Sequence, residues 1–182
     1  TVGADGTWSA QVTRDLTGGV HHLYAIIEDA AGNITTPTVG GKVLARSIGL
    51  EDGTKLGSPG VTVGGAFKPT DVTGVGVTVL NAGGTFKSHI DYSIYSEVEG
   101  ESARTSGLLK THLMETFDTG EQVIITTNDE WATKMSTEAR TALANIGATR
   151  SIIDNAEFRS SYLLITTKTA AGWKVDYEQY NP

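Results

Sequence analysis

The sequence predicts an α+β fold in which short strands and two helices share a chain of 182 residues. It contains 22 Gly but only 4 Pro, a ratio typical of short strands joined by tight turns. Several segments alternate apolar with polar residues, as strands with one buried face do. Two further segments repeat apolar residues every three or four positions, which indicates amphipathic helices. We therefore expect partial β-sandwich strands first, followed by sheets flanked by helices.

Three strands are predicted in the first 45 residues, over 7–13, 21–28 and 34–43. Turn sequences rich in Gly and Asp lie before and between them. In the first strand, Trp8 and Val12 share one face. This spacing fits a β-sandwich, although three strands are too few to close one.

The second part, 46–182, begins with a loop-rich bridge over 46–70, in which Val61 and its neighbours can form a short strand. A β-hairpin is predicted next, with strands over 75–80 and 85–92. Further strands are predicted over 122–127, 149–153 and 161–168, and a final edge strand over 173–178.

Two helices are predicted among these strands. Leu109, Leu113 and Phe117 recur at four-residue spacing and place one helix over 101–117. Ser136 can cap the second helix, because its hydroxyl can accept a backbone N–H of the first turn.

The composition excludes several classes of function. Lys plus Arg is 14 and Asp plus Glu is 21, and the net charge of −7 opposes nucleic-acid binding, which needs a basic face. No apolar run approaches the roughly 18 residues that span a bilayer, so no membrane insertion is expected. The absence of Cys excludes disulfides, thiolate zinc sites and cysteine nucleophiles. The first residues lack the basic start and apolar core of a signal peptide, so none is expected in this fragment.

The segments ADGTWSAQV and HHLYAIIEDAAGNIT carry a first resemblance. They are similar to the D-G-x-W/Y motif and the strand-and-turn motif ending in D-x-A-G-N of a bacterial immunoglobulin-like repeat. The resemblance covers residues 1–45 and only the C-terminal half of such a repeat. It implies a fragment of a longer protein, because these repeats act as spacers in bacterial adhesins and phage tail proteins.

Four segments of the second part carry another resemblance: SIGLEDGTKL, GVGVTVLNAGGTF, TNDEWATKMSTEARTALANIGAT and AEFRSSYLLITTK. In this order and at similar spacing, they resemble motifs of the interleukin-like EMT inducer (ILEI/PANDER) domain family over about residues 46–168. The third segment is the most specific, since it is similar to the family's D-D-x-A-T-K-M-x-x-E-x-R pattern. The resemblance implies an ILEI-like β-β-α domain over 46–182.

The same resemblance implies a binding site. In the related stem domain of protein O-linked-mannose N-acetylglucosaminyltransferase, a carbohydrate-binding module, an Asp and an Arg contact the sugar, and the matching positions are Asp129 and Arg159. Some animal members of the family are secreted signalling proteins. Gly49 stands where vertebrate members have Cys, and Ser160 and Tyr162 stand where the family has Asp and Trp.

Five residues offer the chemistry that a sugar requires, namely Asp129, Glu130, Trp131, Arg159 and Tyr162. A carboxylate accepts from hydroxyl groups, a guanidinium donates in a fixed fork, and an aromatic ring packs on the C–H face. Asp129 follows one predicted strand and Arg159 precedes another, so their loops meet at one rim if the two strands run in the same orientation. An ordinary ion pair between Asp129 and Arg159 and a core position for Trp131 are open alternatives.

No metal site and no cofactor are predicted. His21 and His22 fall in a predicted strand, where neighbouring side chains would point to opposite faces. Asp5, Asp29 and Asn33 carry oxygen atoms that suit calcium, but an Asx-type turn explains the last two without metal. No activated nucleophile or separated acid pair is visible, so no enzyme is predicted.

We therefore expect a non-catalytic surface-recognition module that binds carbohydrate, at the distal end of a phage tail fibre or tail-tip protein or of a bacterial adhesin. Its expected partners are a glycan or receptor of a host cell and the rest of a longer fibre or adhesin chain, in an extracellular or virion setting. A homo-oligomer would raise the avidity of a weak site. The alternatives are a protein-binding or structural virion or cell-surface module without glycan binding, and an enzyme that acts on polysaccharide.

Overall fold

The computed structural model describes residues 27–28, 34–35, 43–49 and 58–182. The chain divides into two compact units, Thr1–Thr38 and Val39–Pro182. In the first unit, strand β1 (Ile27–Glu28) pairs antiparallel with strand β2 (Ile34–Thr35). The other residues on which the immunoglobulin-like assignment depends lie outside the described ranges, and that assignment stays a prediction.

The second unit contains two antiparallel sheets and three helices within its described residues. Its elements, in chain order, are β3 (Val43–Arg46), β4 (Gly60–Val63), β5 (Ala66–Pro69), β6 (Gly74–Leu80), β7 (Phe86–Tyr92), α1 (Glu101–Leu113), β8 (Gln122–Asn128), α2 (Thr137–Asn145), α3 (Arg150–Asp154), β9 (Ser161–Thr169) and β10 (Gly172–Asn181). The small sheet has the order β3-β4-β5, and the five-stranded sheet has the order β10-β9-β8-β6-β7. Strand β3 spans the domain boundary predicted after residue 45 and pairs with β4.

The five-stranded sheet lies between two apolar clusters. On one face, Val123 and Ile125 of β8 pack with buried residues of α1 and α2. On the other face, Ile124 packs with Val61 and Val63 of β4. Because successive side chains of a strand point to opposite faces, β8 contributes to both clusters. The helices and the small sheet therefore cover opposite faces of the same sheet, as an α+β fold requires.

The prediction over 46–70 is right about a short strand at Val61, which is β4, but wrong in treating the rest of the second half as loop, because this stretch also forms β5 and the two strands make a hairpin. Gly64 and Gly65 make the two-residue turn, with φ of 57° and 87°. Such a turn needs positive φ at both central positions, which Gly adopts at no steric cost. Val61 and Val63, expected at most in a short strand, lie in β4 and are 0% and 7% exposed.

The strand predicted over 149–153 is also wrong, because this segment forms helix α3. The carboxylate of Glu178, on β10, accepts the N–H of Thr149 at 2.8 Å and its hydroxyl at 2.5 Å. A carboxylate at a helix N-terminus accepts N–H groups that have no partner within the helix, and it interacts favourably with the positive end of the helix dipole. Because Glu178 lies 29 residues further along the chain, the local pattern of apolar residues carries no information about it.

The two predicted helices are confirmed with one shifted end. The Oγ of Ser136 accepts the N–H of Ala139 at 3.2 Å and so caps α2 as expected. Helix α1 ends at Leu113, before the predicted end, but Phe117 still packs into the core. Among the described residues, no helix has both the length and the apolar character needed to cross a membrane.

Candidate functional site

Two loops meet at one end of the β8–β9 ladder. Strand β8 ends at Asn128 and β9 begins at Ser161, and the two strands pair antiparallel with Thr126 opposite Leu163. The sequence analysis made a shared orientation the condition for this meeting, and that condition is wrong. Antiparallel pairing places the end of one strand beside the start of the other. The loop after β8 and the loop before β9 therefore lie side by side.

Asp129 and Arg159 are the centre of these two loops. Their φ angles are 54° and 62°, and no other non-glycine residue in the described ranges has positive φ. Arg159 Nε lies 3.2 Å from Asp129 Oδ1, yet both atoms are buried and neither forms an aligned hydrogen bond. The outer atoms of the two side chains also form no hydrogen bond with the described residues. The ion pair foreseen as an alternative is present, but it is strained and incompletely paired.

Glu130 holds the two loops together. Its side chain is buried, and Oε1 accepts the N–H groups of Ala132 at 2.8 Å and Thr133 at 2.7 Å. Its Oε2 accepts the N–H of Arg159 at 2.8 Å. With three backbone donors, this carboxylate is already occupied and is not open to a sugar in this conformation. Glu130 therefore positions the backbone of Arg159 and offers no free oxygen atom to a ligand.

Trp131 and Tyr162, predicted as stacking rings, lie in the core. Both are 0% exposed, and their rings stack on each other with centroids 5.1 Å apart. Trp131 Nε1 donates to the Ser160 carbonyl at 3.0 Å, and the Tyr162 hydroxyl donates to Glu178 at 2.7 Å. Burial accordingly raises the pKa of Tyr162. Neither ring presents a face to solvent, so the core position considered for Trp131 applies to both.

Two other aromatic rings border the ion pair, and the sequence analysis missed them. Phe158 is 51% exposed, and the guanidinium carbon of Arg159 lies 5.0 Å from its centroid. Tyr95, on the loop between β7 and α1, meets Phe158 edge to face at 6.5 Å. Its pKa is raised, chiefly by a hydrogen bond with Glu97. Phe158 could have been found from the sequence, because it directly precedes the predicted site residue Arg159. Tyr95 could not, because it is far from this loop in the sequence.

A short segment around Ile48 fixes the backbone of the site. The N–H of Ile48 donates to the Thr127 carbonyl, and its own carbonyl accepts the N–H of Asp129, both at 3.0 Å. Gly49 lies so close to the other loop that a Cβ there would be 2.3 Å from the Arg159 carbonyl oxygen. The segment therefore contacts both loops, and the second contact requires Gly.

No group of three or more His, Cys, Asp or Glu side chains suited to a metal ion occurs in the described part of the chain. The calcium candidates Asp5, Asp29 and Asn33, and the pair His21 and His22, lie outside that part.

The sequence of the second unit matches a known protein family. Residues 73–170 match the family model described as Interleukin-like EMT inducer. This range is more than half of the chain, and it includes both loops of the candidate site. No curated protein matches the chain.

Proposed function

The chain belongs to the interleukin-like EMT inducer family, and from this premise we propose that it is a non-catalytic module that recognises carbohydrate on a cell surface. The proposed site is the edge of the five-stranded sheet where Asp129 meets Arg159. The proposed setting is extracellular or on a virion, at the end of a phage tail fibre or tail-tip protein or of a bacterial adhesin. Its partners would be a host-cell glycan or receptor and the rest of that longer chain.

The incomplete pairing of Asp129 with Arg159 supports this proposal. Their two nearest atoms are 3.2 Å apart and buried, but no hydrogen bond satisfies either of them. A buried polar atom without a hydrogen bond costs roughly 1–3 kcal/mol. Neighbouring hydroxyl groups of a sugar can donate to a carboxylate and accept from a guanidinium at the same time. A bound sugar could therefore hydrogen-bond the outer carboxylate and guanidinium atoms, which form no hydrogen bond with the described residues, while the buried pair of atoms behind them stays as it is.

The backbone of the same two residues supports the proposal independently. Positive φ on a residue with a Cβ costs about 1–2 kcal/mol, and such strain clusters at functional sites. Glu130 and the segment around Ile48 hold this conformation through backbone hydrogen bonds. The backbone that carries the two functional groups is thus fixed before any ligand arrives, which reduces the entropy lost on binding.

The experiment is a glycan and lipopolysaccharide array probed with the multimerised chain. A single site near 1 mM corresponds to only about −4 kcal/mol, so several copies are needed for a measurable signal. We expect binding by the wild type and a loss of about 1–3 kcal/mol in Arg159→Ala, with a similar loss in Asp129→Ala. Equal binding by folded variants would contradict the proposed site.

A second ion pair in the chain provides the matched control. Arg150 Nε and Asp154 Oδ2 form a 2.6 Å contact on the exposed side of helix α3. Arg150→Ala and Asp154→Ala change the net charge as the site variants do, but they leave the proposed site intact. We expect them to bind the array as the wild type does. Release of reducing ends from capsule or lipopolysaccharide by the wild type would contradict the non-catalytic assignment.

A protein-binding or structural role is the second candidate. Leu44 and Phe67 of the small sheet are large apolar residues that are exposed in the structure, and both lie opposite Thr62 on the same face. Exposed apolar residues on one sheet are typical of protein contacts when they are contiguous. An oligomer in light scattering, together with silence across the glycan array, would favour this role over sugar recognition.

A further inference from the structure

Phe158 is unusually exposed for a large apolar residue beside a charged pair. Half of its surface is open to solvent, although it directly precedes the strained residue Arg159. The ring of Tyr95 meets it edge to face, with centroids 6.5 Å apart. Two aromatic rings at this angle form a corner with two apolar walls, which we call the aromatic corner (Tyr95 and Phe158).

A cation lies over each ring of the aromatic corner. Lys134 Nζ lies 4.1 Å from the Tyr95 centroid and is itself held by a 2.7 Å hydrogen bond to the Ser96 carbonyl. The guanidinium of Arg159 lies 5.0 Å from the Phe158 centroid. Attraction between a cation and a ring face fixes the ring without covering its whole surface. The corner is therefore pre-formed, and one of its cations belongs to the proposed sugar site.

A sugar needs an apolar surface as well as hydrogen-bond partners. Its ring presents C–H groups that pack on aromatic faces, while its hydroxyl groups bind charged groups. The burial of Trp131 and Tyr162 removes the rings first expected to provide that surface. The aromatic corner is an alternative next to Arg159, in which Phe158 is exposed and Tyr95 is half-buried.

We propose that the aromatic corner receives the C–H face of a pyranose ring whose hydroxyl groups bind Asp129 and Arg159. This inference rests on the proposed function and adds to it the shape of the ligand, a closed sugar ring rather than an open-chain polyol. An open-chain polyol carries the same hydroxyl groups but has no rigid C–H face. The corner should therefore discriminate between the two, whereas the ion pair alone should not.

The chain offers a matched control for Phe158. Phe86 is 38% exposed and has the ammonium of Lys68 4.6 Å from its centroid, so it is another exposed Phe beside a cation. It lies on β7, and neither of the two loops of the site contributes to its surroundings. Phe86→Ala removes a comparable ring and tests whether any exposed Phe would give the same effect.

The test uses the full chain on an array of immobilised pyranosides, with methyl pyranosides and the corresponding alditols as soluble competitors. We expect Phe158→Ala and Tyr95→Ala to weaken binding about 2- to 10-fold, and Phe86→Ala to bind as the wild type does. The wild type should be displaced by methyl pyranosides at lower concentration than by alditols, and Phe158→Ala should lose most of that difference.

The outcomes separate this inference from the proposed function. If Asp129→Ala and Arg159→Ala lose binding while folded Phe158→Ala and Tyr95→Ala retain all of it, the sugar site stands and the aromatic corner is rejected. If the wild type binds none of the pyranosides, both are rejected. If Phe86→Ala weakens binding as much as Phe158→Ala does, the effect belongs to exposed rings in general and the corner is again rejected.

Discussion

The two ends of the β8–β9 ladder differ in how completely their polar groups are paired. At the end where β8 begins, the N–H of Lys168 donates to the Glu121 carbonyl, and the N–H of Gly120 donates to the Lys168 carbonyl, each at 2.8 Å. The Glu121 carboxylate accepts the N–H of Asp118 at 3.0 Å and pairs with Lys87. The residue with positive φ at this end is Gly120, which adopts it without strain. We call this the paired end.

The other end, with Asp129 and Arg159, has the opposite properties. Its residues with positive φ carry side chains, and two buried polar atoms have no hydrogen bond. Unpaired polar groups and strained backbone both reduce stability, and they persist where the surrounding structure fixes them. The same ladder thus has a relaxed connection at one end and a strained connection at the end with the proposed site. We call this the open end.

The largest expected effect tests whether a well-packed core lies beneath the loops of the open end. Trp131→Ala should lower the free energy of unfolding by about 3–5 kcal/mol, because it empties a fully buried site and removes the hydrogen bond to Ser160. Urea denaturation followed by circular dichroism measures the change. Phe158→Ala, at the surface of the same end, should stay within about 1 kcal/mol of the wild type. Equal losses in the two variants would show that the open end has no distinct core beneath it.

The next effect concerns the segment that braces the open end. Gly49→Ala should lower the free energy of unfolding by about 1–3 kcal/mol, because the added Cβ would lie 2.3 Å from the Arg159 carbonyl oxygen. Glycan binding should weaken as well, since that loop must shift. Gly83→Ala is the control, because no atom lies within 4 Å of a Cβ added there. A stable Gly49→Ala variant with unchanged binding would mean that the segment around Ile48 does not position the site.

The paired end has its own signature in the dependence of stability on pH. The hydrogen bond from Lys87 lowers the pKa of Glu121, so this carboxylate stabilises the fold above its unfolded pKa of about 4.3. The contribution is lost as the pH falls through the lower pKa of the folded state. At neutral pH, Glu121→Gln should cost about 1 kcal/mol in the free energy of unfolding.

Denaturation at a series of pH values measures this effect. The difference between wild type and Glu121→Gln should shrink as the pH is lowered from about 5 to 3. Glu99→Gln, which changes an exposed carboxylate outside both ends, is the control and should show little difference at any pH. A Glu121→Gln difference that persists unchanged at low pH would assign the effect to packing instead of charge.

Local patterns predicted most of the elements that shape these two ends. Strands β6 to β10 were predicted from local pattern, with alternation for β7 and β10 and an apolar run for β8, and the Ser136 cap placed α2, because these signals lie within a few residues of what they specify. Helix α3 was missed because its N-terminus is held by Glu178, which is distant in sequence. The short strand at Val61 was predicted, but its pairing with β5 in a hairpin was missed although Gly64 and Gly65 carried the turn signal.

The candidate site was predictable only in part. The family resemblance supplied Asp129 and Arg159, and their adjacent loops follow from strand pairing. Sequence alone did not place Trp131 in the core and Phe158 at the surface, because both are aromatic residues beside a charged neighbour. Tertiary packing decides which of the two rings is buried and which is exposed. It also sets the positive φ angles of Asp129 and Arg159, which no local sequence pattern specifies.

The smallest effect tests the comparison most directly. Replacing Asp129 and Arg159 together by Gly should raise the free energy of unfolding by about 1 kcal/mol, because it removes two strained positions and two unpaired atoms. The greater entropy of two glycines in the unfolded chain offsets much of the gain. A rise in Tm of roughly 2–4 °C, with loss of glycan binding, is the expected result. The same double change at Arg150 and Asp154, which are helical, should lower Tm. If the double Gly variant at Asp129 and Arg159 also loses stability, their ion pair stabilises the fold, and the open end is as relaxed as the paired end.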